Sequence, residues 1–151
     1  MKNPTLPLTQ RERTNLRKAK VKLAEIADIE LDLLKAVLDT TLNRAKELKA
    51  LAVFQRIPSI GYHLADKLVY QVNLYSLEEV KTKDAAKLLD QLEIKLGVWT
   101  DPCVEDQLRC VIHYANHPDF PKPWYEFTGE RKRFRSLNGY PSTRPAKAWN
   151  E

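Results

Sequence analysis

Glycine is scarce in this chain, at 4 of 151 residues against 9 prolines, which is too few for the turn-rich loops of a β-sandwich or for a flexible linker protein. Long apolar runs are missing as well. Stretches without a charged side chain, such as residues 68–77, fall far short of the roughly 20 apolar residues that a membrane-spanning helix needs. Cysteine occurs only at Cys103 and Cys110, seven positions apart in a segment with helical periodicity. A rise of about 10 Å then separates their Cα atoms and excludes a disulfide between them. Residues 1–10 lack the continuous apolar core of a secretory signal and the arginines of a transit peptide, so a cytoplasmic protein is expected.

What the chain does contain is 43% hydrophobic and 30% charged residues, globular proportions that at this length fit one domain. The net charge of +5 is unevenly spread. Residues 1–56 carry +5, residues 57–128 carry −4 and residues 129–151 carry +4. The densest basic runs are Arg11, Arg13, Arg17, Lys18, Lys20 and Lys22 near the start, and Arg131, Lys132, Arg133 and Arg135 near the finish. Either run suits a phosphate backbone, and either equally suits a solvated helix face.

Helical signals follow one another along the chain. Thr9 with Glu12 has the form of a capping box opening a helix over residues 10–27, with Leu16, Leu23 and Ile26 as its apolar stripe. Leu31, Leu34 and Leu38 mark a second helix, and Asp39-Thr40-Thr41 supplies turn and cap chemistry before a third over residues 42–55. The tight apolar segment at residues 57–61 leads into a short helix over residues 62–72. Ser76 and Asp84 are caps for two further helices, the second ending at Gly97. Asp101-Pro102 opens a helix with Val104, Leu108, Val111 and Ile112 on its inner face. Pro118, Pro121 and Pro123 then predict an extended strap pinned by Trp124, Tyr125 and Phe127, before a basic helix over residues 130–137 and an irregular tail. No alternating β-branched run competes, so the chain reads as all-α with seven or eight helices. Within one domain we distinguish a basic N-terminal helix (residues 1–27), a central core (28–97), a last core helix with its aromatic strap (98–127), and a basic helix with tail (128–151).

Two clusters invite a chemical reading. Asp101, Glu105 and Asp106 together can hold Mg²⁺, but helix capping and an ion pair from Glu105 to Arg109 explain them more economically. Cys110, His113 and His117 share a helical face and are candidate metal ligands, although no CxxC pair supports them and free cysteines are usually buried. No phosphate loop, HExxH helix or serine elbow is present, so catalysis, cofactor and metal are not expected. Trp124, Tyr125 and Phe127 beside the Arg131–Arg135 cations resemble the stacking surface of a single-strand binder, but an anchored strap is the favoured reading.

The segment Ile57-Pro58-Ser59-Ile60-Gly61-Tyr62-His63-Leu64-Ala65-Asp66-Lys67-Leu68 resembles the helix-hairpin-helix signature through Pro58, Ile60, Gly61, Ala65 and Leu68. It departs from that signature at Ser59, where the first glycine is usual, and at Tyr62 and His63. Residues 39–48 repeat the spacing in degenerate form, with Ala45 in the place of Ala65. The hairpin, the Leu74–Glu79 segment, the Asp101–Cys110 helix and the Tyr114–Tyr125 strap together resemble a small bacterial family labelled pathogenicity-locus or mitomycin-resistance proteins. The hairpin resemblance implies exposed backbone N–H groups beside a helix start, suited to phosphate. It also implies that Gly61 takes a conformation other residues resist, that Ile60 plugs the core and that Ala65 permits close helix approach. The expected function is sequence-nonspecific DNA binding, in repair or recombination, through Ser59, Ile60, Gly61, Tyr62, His63 and Lys67 together with Arg131, Lys132, Arg133 and Arg135. The alternative is a protein-interaction adaptor whose hairpin no longer binds DNA.

Overall fold

Helix starts and stops in this chain are set by local chemistry. In a computed structural model describing residues 2–151, eight α-helices account for the architecture: α1 Gln10–Lys18, α2 Leu31–Leu38, α3 Leu42–Phe54, α4 Tyr62–Asp66, α5 Leu77–Lys81, α6 Ala85–Leu96, α7 Cys103–Asn116 and α8 Thr128–Asn138. Two 3₁₀ turns, Leu23–Asp28 and Trp124–Phe127, and a π-helical turn, Lys67–Gln71, complete it. The fold is all-α. Among the described residues the only β pairing is a lone parallel bridge between Trp99 and Ala148, and no helix is long and apolar enough to cross a membrane.

The caps are those the residue types demand. Thr9 and Glu12 form a reciprocal capping box, and Thr41, Ser76 and Asp84 accept from the backbone three residues on. Gly97, at φ +72°, closes α6. The first helix is shorter than its periodicity predicts, ending at Lys18 instead of residue 27. Lys20 enters the left-handed region, its N–H bonds Arg17 O and the Val21 N–H bonds Leu16 O, a Schellman closure without glycine. The chain resumes as the 3₁₀ turn, so Leu23 and Ile26 reach the core from a separate element. The helix expected over residues 62–72 likewise changes character, from α to π after Asp66, and ends where Asn73 turns left-handed.

Two helices organise the core. α3 is buried along Ala45, Leu48, Leu51, Ala52 and Phe54, and receives α2, α4 and the first 3₁₀ turn. α7 receives α5, α6, α8 and the second 3₁₀ turn. The zero exposure of Ala45 and Ala65 fits close approach of α3 and α4, where a larger Cβ substituent has no room. The tail is irregular yet docked. Ala148 is buried, and its neighbours exchange backbone bonds with Trp99.

Candidate functional site

The α3–α4 connection is built by Pro58 and Ser59. The Ile60 N–H bonds Ile57 O at 3.1 Å, and Ser59 sits at φ +70° after a proline, the pattern of a type II turn. The conformation expected of Gly61 therefore belongs to Ser59. Gly61 itself is extended, at φ −106° and ψ −170°, and a Cβ there would meet nothing within 4 Å. Ile60 is the buried plug, as its apolar character predicts, and its N–H is used in closing the turn. The sequence signal for Ser59 was its place after Pro58 in a turn, where the third position is left-handed in a type II turn but not in a type I turn, so the sequence left both open.

Beyond the turn, Gly61 caps α4 without a side-chain bond. Among the described residues, no protein group accepts from the N–H groups of Gly61, Tyr62 or His63. Pro58, Ser59, Gly61 and His63 are exposed. Tyr62 is half-buried with its hydroxyl 3.4 Å from Asp66, and burial raises its pKa. Lys67 lies one turn along, its Nζ 3.5 Å from His63 O. The turn opens on a cleft of about 490 Å³. The opposite walls are residues 2–5 and Ala24 and Ala27 of the first 3₁₀ turn. The N-terminal arm is held there by Gln55, whose amide both accepts from the Thr5 N–H and donates to Thr5 O. Arg56 stands at the cleft but is engaged by Asp28 and Ala24 O, and it holds the Asp28 carboxyl below its usual range.

The two basic runs have opposite surroundings. Arg13, Lys18, Lys20 and Lys22 are exposed with no carboxylate partner among the described residues, while Arg17 reaches only Thr14 and Arg11 pairs with Asp39. The run leads directly into the 3₁₀ turn that walls the cleft. The C-terminal run does not act as one surface. Arg135 is buried: Nε donates to Glu105, Nη2 to Asp90 and Ala86 O, and Nη1 to Gly139 O. Arg131 donates from Nε to Asp106 at 2.6 Å. Only Lys132 and Arg133 of that run remain exposed and unpaired among the described residues. A phosphate contact from Arg131 or Arg135 is thus not available in this conformation, because each guanidinium already faces a buried carboxylate.

The acidic cluster is the other half of that network. Glu105, with no exposed surface, accepts from Arg109 and Arg135. Asp106 accepts from Arg131 and Thr128. Asp101 caps α7 through the Cys103 N–H, which lowers its own pKa, while burial and that carboxylate push the Cys103 thiol up to about 11. Glu93 accepts a two-pronged bond from Arg144 in the tail and also the Thr100 N–H. Tyr140 lies between the Arg135 and Arg144 guanidiniums, 4.1 and 3.6 Å from its ring centre. Sequence spacing pairs Glu105 with Arg109 four positions on, as expected, but it carries no signal for the carboxylate partners of Arg131, Arg135 and Arg144, which lie 25 to 51 positions away.

Cys110 and His113 do not meet at a shared point but hold the strap. The Cys110 thiol, its pKa raised by burial, donates to Lys122 O at 3.2 Å, and His113 Nε2 lies 2.9 Å from Phe120 O. No group of three His, Cys, Asp or Glu side chains among the described residues has metal-binding geometry. The strap reaches the α3–α4 turn itself, where the Trp124 N–H donates to Ser59 Oγ at 2.9 Å. Phe127 is buried and Trp124 half-buried, but Tyr125 is exposed.

A family model described as pathogenicity locus matches residues 47–133, more than half of the chain. The match runs from within α3 to within α8, so it takes in the α3–α4 turn, the strap and Arg131 but not α1 or the docked tail. Comparison with curated proteins finds no match, and comparison with solved structures finds none.

Proposed function

The chain belongs to the pathogenicity-locus family, and we propose that it is a non-catalytic protein gripping nucleic-acid backbone without sequence specificity, with residues 57–63 as a helix-hairpin-helix element. The observation that carries this reading is the exposed α3–α4 turn, whose Gly61, Tyr62 and His63 N–H groups have no protein acceptor among the described residues. Such donors beside a helix start suit a phosphate oxygen and read backbone geometry, not bases. The unpaired cations Arg13, Lys18, Lys20 and Lys22 supply long-range attraction on the chain segment leading to the cleft. Repair or recombination is the cellular setting that fits such binding.

Fluorescence anisotropy with labelled single-stranded, duplex and branched DNA across a salt series tests the reading. Saturable binding is expected, with log affinity falling linearly against log salt. Gly61→Asp is the decisive variant, because its backbone is already extended and open space surrounds the position. The carboxylate caps α4 and occupies the place of the phosphate, so affinity falls while the melting temperature holds. Unchanged affinity in that variant removes the turn as the contact. No binding at low salt removes the nucleic-acid reading and leaves the adaptor.

A further inference from the structure

Phe120 is 74% exposed and Tyr125 is 64% exposed, although the strap that carries Phe120 and leads into the 3₁₀ turn of Tyr125 is tethered at several points. Three backbone groups in five residues of that loop are anchored. Phe120 O faces His113 Nε2, Lys122 O accepts from Cys110, and the Trp124 N–H donates to Ser59. Pro121 and Pro123 fix φ at the positions between the anchors, and Pro118 lies in the turn closed by Phe120 N–H to His117 O at 3.1 Å. Two large rings therefore stand in water on a backbone held at three points, and less backbone entropy remains to be lost when something stacks on them.

We infer that Phe120 and Tyr125 are a stacking platform for unpaired nucleobases, and that the preferred nucleic acid is one with a single-stranded segment. The inference rests on the nucleic-acid reading of the hairpin and names the form that reading leaves open. Tyr125 directly follows the residue bonded to Ser59, which puts its ring on the order of 10 Å from the turn. The span from Phe120 to Trp124 is at most about 14 Å, so both rings lie within a few nucleotides of a phosphate held at the hairpin.

Charge decides between strand types. Asp119 and Glu126 flank the rings and are exposed, with Lys122 the one cation between them. The strap is thus a poor surface for a second phosphate backbone, as a duplex would require, yet it leaves aromatic faces open. An unpaired strand satisfies both surfaces, with phosphates toward the hairpin and bases toward the strap. Stacking on aromatic side chains tolerates any base, in keeping with sequence-nonspecific binding.

The test compares three labelled oligonucleotides of equal phosphate count, single-stranded, duplex and abasic single-stranded, on the full chain and on Phe120→Leu, Tyr125→Leu and the double variant. Both side chains are exposed, and leucine keeps apolar bulk while removing the ring, so the fold is retained and circular dichroism checks it. Each substitution is expected to weaken single-strand affinity about tenfold, with duplex affinity unchanged and the abasic strand insensitive to either. Equal affinity for the abasic and normal strands overturns the platform while the hairpin reading stands. So does single-strand affinity that survives the double variant in a protein that still binds DNA. Failure of every oligonucleotide to bind at low salt overturns the hairpin reading and the platform with it.

Discussion

The basic run of residues 11–22 and that of residues 131–135 look alike in sequence and differ in almost every physical respect once folded. Arg13, Lys18, Lys20 and Lys22 stand in solvent without partners among the described residues, whereas Arg131 and Arg135 are inserted among Asp90, Glu105 and Asp106. The neighbours account for the difference. α8 crosses α7, whose first turn is acidic, and Arg135 also reaches Asp90 of α6, while α1 packs on α2 and offers most of its cations nothing to meet. A charge run in a sequence therefore carries no fixed meaning. Its role depends on whether the element it faces brings buried carboxylates.

Disrupting the buried run has the largest expected effect. Arg135→Ala leaves Glu105 with no solvent contact and one fewer cation, a change that typically costs about 3–5 kcal/mol. Urea unfolding should show the loss, with a melting temperature lower by on the order of 10 °C for a chain of this size. Replacing Arg135 by Met and Glu105 by Leu together should recover much of that loss, because a well-packed apolar pair removes both desolvation penalties. If Arg135→Ala alone leaves the midpoint unchanged, the network is not structural.

Changing Arg13, Arg17, Lys18 and Lys20 together to Ser should do the reverse. Stability stays within a few tenths of a kcal/mol per site, while the salt slope of duplex binding shrinks by about 0.9 for each phosphate that is no longer neutralised. A slope identical to that of the unaltered chain would show that these cations do not meet the backbone.

Acid titration separates the two regions further, through two carboxylates that pull in opposite directions. The Arg44 guanidinium holds the Glu12 carboxyl below its ordinary 4.5, so the unfolded chain binds that proton first as the pH drops. The stability Glu12 contributes is present above about pH 4.5 and is lost as the pH falls through its lowered value. Burial raises the Asp90 carboxyl above its ordinary 3.8 despite Arg135, so its contribution is present at low pH and is lost as the pH rises through that raised value. Urea midpoints of Glu12→Gln and Asp90→Asn against pH should therefore diverge, the first losing the acid-side fall and the second losing the opposing trend.

Smaller effects separate strain from hydrogen bonding at the α3–α4 turn. Ser59→Ala keeps the left-handed residue and removes the acceptor for the Trp124 N–H, so it should cost about 1 kcal/mol. Ser59→Gly removes the same acceptor but relieves the positive φ, worth about 1–2 kcal/mol in the other direction, less about 0.4–1 kcal/mol for the freer unfolded chain. Glycine should therefore be the more stable of the two in thermal melts. Arg11→Ala, whose ion pair with Asp39 is about 70% exposed on both sides, should move the melt least of all.

Caps such as Thr9, Thr41, Asp84 and Gly97 were legible because each is a contact within about four residues. So was the apolar core, whose Leu34, Leu48, Leu68, Leu89 and Leu108 recur at helical spacing and are buried. The break after Lys18 was not, since Leu23 and Ile26 continue the helical period and no glycine or proline marks the left-handed turn at Lys20. Nor could the resemblance to a glycine hairpin reveal that Ser59, not Gly61, carries the strained conformation.

The all-α class, most helix ends and the position of the exposed α3–α4 turn were set within the sequence, because periodicity, capping and turn chemistry act between near neighbours. Packing of the helices settled which arginines face water, which distant carboxylates they meet, where the strap touches the α3–α4 turn and that the tail docks on Trp99. Those outcomes depend on pairs of residues 25 to 65 positions apart. Such pairs form only when helices come together, because hydrogen bonds need donor and acceptor about 3 Å apart, screened charges act within about 10 Å, and separation along the chain says nothing about distance in space.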